Sequence, residues 1–299
     1  MTNQRTRRVS AIADAFGDLI GDISPTDDEF ADALARYDAI KAHLKSGFWV
    51  SEVRLVGSFA KRTAVRGQSD VDMFACLARD EARWGDHTLD SRTFLHRVRD
   101  QLQHRYPTTD IRSARQAVSL CFTKGANRFD VVPAVFAGMT KGGAVFGIPD
   151  GAGDWLLTAP HVQTRQLREA ARRSGGKLPR VIQLVKWWTR VRARVVPLNS
   201  FHLEMVLAGK ELGVGAGSYA ALTAQAFRVL ARRRGRALTD PSGISHLIPA
   251  VSSDAQKHTL TARVREAADW AEQAVMAENE GDEEIALRYW DRVFNGRFV

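Results

Sequence analysis

The chain has 299 residues, 44% of them hydrophobic, with a formal net charge of +9 and a pI of about 9.9. That length allows two packed units or one large one, with apolar residues enough for an ample core. No stretch has the roughly 18 apolar residues of a membrane span, and the N-terminus (MTNQRTRRVSAIADAF) lacks the apolar centre of a signal peptide. A cytoplasmic protein without a membrane partner is expected. Cys76 and Cys121 show neither metal-ligand spacing nor a disulfide framework, and both lie in apolar runs that predict buried thiols. The positive charge would draw polyanions: free nucleotides, nucleic acid or an acidic protein.

In chain order, a weak stripe of Ile12, Ala15, Phe16 and Leu19 predicts a helix that Ser24-Pro25 interrupts. Thr26-Asp27-Asp28-Glu29 caps a second helix with Phe30, Leu34, Tyr37, Ile40 and Leu44 on one face, ended by Gly47. Val53, Leu55 and Val56 read as a strand. Gly57-Ser58 breaks it, and a connection rich in Lys and Arg leads to a second strand beginning at Asp70. Ser91 opens a helix with Phe94, Leu95, Val98 and Leu102 inward. Residues 110–112, 117–123 and 128–135 read as strands, the last two forming a hairpin through Lys124-Gly125-Ala126-Asn127, with Pro133 ending the third. The Gly- and Pro-rich segment 138–160 reads as an ordered loop closing over a cleft. Only helical signals follow: after Pro160, from Pro179, from Pro197 or Asn199, over 218–233, over about 253–279, and over 283–294. The pattern is α+β, a mixed half (1–160) followed by a helical half (161–299).

The chemistry centres on 53–77, VRLVGSFAKRTAVRGQSDVDMFACL. Side chains two apart on a strand share a face, their Cα atoms roughly 6.6–7 Å apart, so Asp70 and Asp72 project together. Two carboxylates facing one way repel unless a cation lies between them, and Mg²⁺ takes one or two carboxylates and fills its shell with water and phosphate. Gly57 lets a phosphate approach the backbone, and Ser58 can cap the next turn while offering its hydroxyl. Asp130, outward in RFDVVPAV, could lie on a neighbouring strand about 4.8 Å away and complete a two-metal site. Lys186 sits mid-helix among apolar neighbours in VIQLVKWW, where it must snorkel or meet an anion. Ser200 opens the next helix, where it serves as an N-cap or as a phosphate ligand.

These segments together resemble the DNA-polymerase-β-like nucleotidyltransferases, and more closely the CD-NTases, bacterial relatives of cyclic GMP-AMP synthase and the dinucleotide cyclases. The resemblance runs through GSFAKRT, SDVDMF, FDVVPA, IPDGAGDWLLTAP, LVKWW, NSFHLE, DPSG and the terminal WDRVFNGRF. It implies a polymerase-β-like core, a mixed sheet flanked by helices, plus a C-terminal helical domain, bilobal with a central cleft. By the same resemblance, Gly57 and Ser58 contact the triphosphate, and Asp70, Asp72 and Asp130 are catalytic and hold two Mg²⁺, for which Mn²⁺ can substitute. Lys186 and Ser200 bind phosphates. Family members make cyclic di- or trinucleotides that activate effectors in anti-phage defence. Asn295 stands where the family often has Gly.

The basic tract 228–236 (RVLARRRGR) reads as a solvated helix end or as a surface for nucleic acid or a regulatory protein. Trp187 and Trp188 belong to core, and Phe59, Phe201 or the 138–160 segment remain for base recognition. Two other readings use the same residues: template-independent nucleotide addition to an RNA 3′ end, and a module that binds nucleotide without catalysis.

Overall fold

The computed structural model describes residues 10–298 except 123–127, 193–194, 213–216 and 245–246. The predicted hairpin turn at Lys124–Asn127 lies outside the described residues. Contacts divide the chain into two units: Pro25–Arg165 with Thr239–His246, and Met1–Ser24 with Gln166–Leu238 and Leu247–Val299.

The first unit begins with α2 (Asp27–Gly47), after α1 (Ala11–Ile23) has been given to the other unit. Thr26 and Glu29 form the capping box expected of their spacing, each side chain bonding the other's backbone N–H. Ala33, Ile40 and Leu44 face inward, whereas Phe30 and Leu34 of the predicted apolar face are exposed. There follow β1 (Val50–Leu55), α3 (Gly57–Lys61), β2 (Val71–Leu77), β3 (Arg83–Trp84), β4 (His87–Thr88), α4 (Ser91–Arg105), β5 (Asp110–Ala114), β6 (Ala117–Cys121), β7 (Phe129–Thr140), β8 (Gly143–Pro149) and β9 (Trp155–Thr158). The sheet runs β1-β2-β7-β6-β5, with β8 on β7 and β9 on β8. In this sheet β2 and β7 pair in parallel; that geometry needs a long crossover, and α4 lies on it.

The central strands are two-faced. Val71, Met73, Ala75 and Leu77, with Phe129 and Val131, join Ile40, Leu44, Phe94 and Leu102 in one core. The alternate residues Phe74, Cys76 and Ala134 form a smaller cluster with Phe146. Asp72 and Asp130 stand at the head of that second face.

Three expectations are corrected here. The strand does not end at Pro133 but continues to Thr140, because Pro133 falls between the part of β7 paired with β6 (to Val131) and the part paired with β8 (from Val135). Segment 138–160 is a strand meander rather than a loop; Gly151 (φ +87°) serves the turn between β8 and β9, where a Cβ would meet the Arg115 Cα at 2.6 Å. Cys76 is buried as predicted, but Cys121 is exposed at the end of β6.

The second unit is helical, as expected of the chain beyond Pro160. It holds α1, most of α5 (Pro160–Arg173), α6 (Leu178–Val191), α7 (Ser200–Leu207), α8 (Tyr219–Arg233), α9 (Asp254–Glu280) and α10 (Glu283–Val293). The strand pair β10 (Leu238–Thr239) and β11 (Leu247–Ile248) escaped the sequence reading because each has two residues. α1, grouped with residues 1–160 by sequence order, packs on α6, α8 and α10. Its Phe16 meets Trp290 at 4.9 Å and Phe298 at 4.8 Å, both edge to face, and is fully buried. Ala267, Ala271, Ala274 and Ala277 form a buried stripe on α9, which packs against α8 and α10. Asn295 takes the left-handed conformation (φ +57°) after α10, which asparagine tolerates and glycine would supply. Trp188 is buried against Phe227, as expected of a core tryptophan.

Candidate active site

Asp70 immediately precedes β2, and Asp72 is its second residue. In the parallel ladder Asp72 is the register partner of Asp130, with Val71 opposite Phe129. Alternation therefore places all three acids on one face, and each is partly exposed. The Val71 N–H donates to the Arg128 carbonyl at 2.8 Å, so Arg128 stands level with Asp70 on the adjoining strand.

The first turn of α3 presses on the same spot. Gly57 has φ +63°, and a Cβ there would lie 1.7 Å from Asp72 Oδ2. Glycine is demanded twice, by backbone conformation and by the carboxylate. The Val56 N–H donates to the Asp72 carbonyl (2.9 Å), and the Thr63 N–H donates to that of Ser58 (2.9 Å), fixing both ends of the turn.

Asp130 Oδ1 accepts from Ser119 Oγ at 2.5 Å and lies in an ion pair with Arg128 Nε at 3.2 Å. Arg128 Nη2 donates to Asp130 Oδ2 at 3.2 Å and also to Asp70 Oδ2. Burial pulls the Arg128 pKa down, but Asp130 and then Asp70 more than offset this, leaving it raised. Sequence reading missed both Ser119 and Arg128, although the Arg-x-Asp spacing of Arg128 and Asp130 did place a cation on the acidic face.

Lys186 and Ser200 belong to the helical unit. Lys186 Nζ forms a buried ion pair with Glu204 Oε1 at 2.6 Å. Asn199, not Ser200, is the N-cap of α7, its side-chain Oδ1 accepting from the Phe201 and His202 N–H groups; Ser200 is exposed on the first turn. Phe59 is buried and stacks on Phe30, which removes it from the base-recognition candidates.

Among the described residues, no three His, Cys, Asp or Glu side chains form a ready metal cage. The donor chemistry nevertheless fits Mg²⁺. Asp72 and Asp130 offer hard oxygens side by side, partly open to solvent, and the missing side chain of Gly57 leaves the room that the Asp72 carboxylate occupies.

Residues 11–170 match the family model described as the Second Messenger Oligonucleotide or Dinucleotide Synthetase domain. The chain belongs to this family. As a CD-NTase the synthetase is a nucleotidyltransferase, and the family makes cyclic nucleotides. It is 26% identical to a cyclic AMP-AMP-AMP synthase of Acinetobacter over 318 aligned positions, covering 98% of this chain and 87% of the relative. Its fold matches Escherichia coli MS115-1 CdnC with ATP at TM-score 0.76 and 18% identity, covering 97% of this chain and 99% of that one. The complex of CdnC with HORMA-deltaN matches at TM-score 0.74 and 19% identity, covering 97% and 98%. No described helix of the synthetase is long and apolar enough to cross a membrane.

Proposed function

We propose that the chain links nucleoside triphosphates into a cyclic di- or trinucleotide second messenger, releasing pyrophosphate, in bacterial anti-phage signalling. The reading is carried by the cross-strand pairing of Asp72 with Asp130, with Gly57 turned against Asp72. Asp70, Asp72 and Asp130 would hold two Mg²⁺ or Mn²⁺ ions, which when bound grip the triphosphate and acidify the attacking hydroxyl. The chain's own residues orient the reactants. The Gly57-Ser58 turn offers backbone N–H groups and a hydroxyl to phosphate, and Ser119 fixes one oxygen of Asp130. Lys186 and Ser200 are assigned to phosphates in the same proposal; Lys186 would share its charge with Glu204.

The Acinetobacter relative's product and the ATP of the CdnC structure support adenine nucleotides among the substrates. The HORMA complex supports a regulatory protein partner. The basic end of α8 remains the proposed surface for such a partner or for nucleic acid, although Arg228 and Arg233 there already face Glu272 and Glu211. The effector would meet only the soluble product.

Mass spectrometry of a phosphatase-treated reaction containing all four nucleoside triphosphates and Mg²⁺ or Mn²⁺ should reveal a resistant cyclic product. Elongation of labelled RNA with no cyclic product would instead support nucleotide addition to an acceptor. Nucleotide binding without pyrophosphate release would support a non-catalytic module.

A further inference from the structure

Arg128 reaches two of the three acids. Its guanidinium spans Asp70 and Asp130, contacting both oxygens of Asp130, while its backbone carbonyl is tied to Val71. Ladder register explains the placement. Arg128 and Asp130 are two apart on β7 and its approach, as Asp70 and Asp72 are on β2 and its approach, so cation and acids share one face at adjacent levels. A planar guanidinium can bridge two carboxylates at once, which a lysine ammonium cannot do with the same geometry. The side chain is 46% exposed, leaving it room to swing into solvent.

The lone pairs that Arg128 engages on Asp70 and Asp130 are those a divalent ion would use, and two cations cannot share them without strong repulsion. Ser119 holds Asp130 Oδ1 from the opposite strand, so the carboxylate keeps its orientation when the guanidinium moves. We propose that Arg128 is the positioning residue of the carboxylate site, an internal counter-ion that competes with divalent metal for Asp70 and Asp130 and swings aside as metal binds. This rests on the metal-binding reading above.

The test is calorimetric titration of Mn²⁺ into the full chain without nucleotide, with thermal melts in parallel. Arg128→Gln should bind Mn²⁺ about tenfold more tightly than the wild type, the scale of one lost charge near a partly exposed site. Its melting temperature should be lower without Mn²⁺ and should rise further on adding it. Arg128→Lys keeps the charge but not the bridge, and should bind Mn²⁺ with intermediate affinity. If Arg128→Gln does not fold, the lysine variant decides. Mn²⁺ affinity unchanged or weakened in the folded variants would overturn the proposal and leave Arg128 a structural ion pair. Asp72→Asn separates the two levels: binding that it removes but Arg128 variants leave unaltered overturns only this inference. A wild-type chain that binds no Mn²⁺ overturns the metal reading as well.

Discussion

Gly57 and Asp72 constrain one another. Any side chain at Gly57 must adopt a left-handed backbone and displace the Asp72 carboxylate, whose Oδ2 lies 1.7 Å from where Cβ would be. Gly57→Ala should therefore cut product formation at least about tenfold and cost at least about 1–2 kcal/mol of stability, the scale of a left-handed alanine before the clash with Asp72 is added. Initial rates and urea unfolding on the same preparation would check it. Asp72→Asn should abolish synthesis and leave the melting temperature within a few degrees of the wild type, because a partly exposed acid contributes little to the core. A collapse of the melt would instead mark Asp72 as structural. The Asp-x-Asp pair was legible because strand alternation is local. Arg128 and Ser119 were not, since their contacts with the acids depend on which strands become neighbours.

Among the elements, β2 and β7 carry apolar residues on one face and acids at the head of the other, and the sequence showed both patterns. Their parallel pairing was hidden, because a crossover containing α4 separates them. α6 and α7 hold the Lys186–Glu204 pair, in which both side chains are at least nine-tenths buried (10% and 5% exposed). Lys186→Met should destabilise the chain by about 3–5 kcal/mol, because it takes the cation away from a buried carboxylate, and adding Glu204→Leu should recover much of that. Urea unfolding of the two single variants and the double variant would show it.

His202, also on α7, is buried with Nδ1 2.9 Å from the Ile248 carbonyl oxygen. Burial holds its pKa below the ordinary 6.5, only partly offset by that hydrogen bond, with Arg233 lowering it further. The unfolded chain then binds the proton more readily. This contribution to stability is complete above about pH 6.5 and is lost as pH falls below it toward the folded pKa. His202→Gln should flatten the fall in melting temperature on that acid side, as melts across a pH series would reveal.

At the scale of the whole molecule, sequence order and spatial grouping part company. The first helix belongs with the last, because Phe16 fills an aromatic cluster of Trp290, Phe294 and Phe298. Phe16→Ala should cost about 3–5 kcal/mol, the usual range for a large ring lost from a core, and should make both chain ends more sensitive to protease. Unchanged digestion would remove the idea that these ends support each other.

The sequence by itself determined what repeats over a few residues: the helices and their caps, the two-faced strands, the acid pair before Met73, and the helical character of the chain beyond Pro160. Periodicity and capping act between near neighbours, so they can be read along a line. Tertiary structure alone decided that Asp130 stands opposite Asp72, that Arg128 bridges Asp70 and Asp130, that Lys186 meets Glu204, and that α1 joins the C-terminal helices. Each of these joins residues far apart in the chain through ladder register or shared burial, which depend on the partner surface as much as on the residue itself.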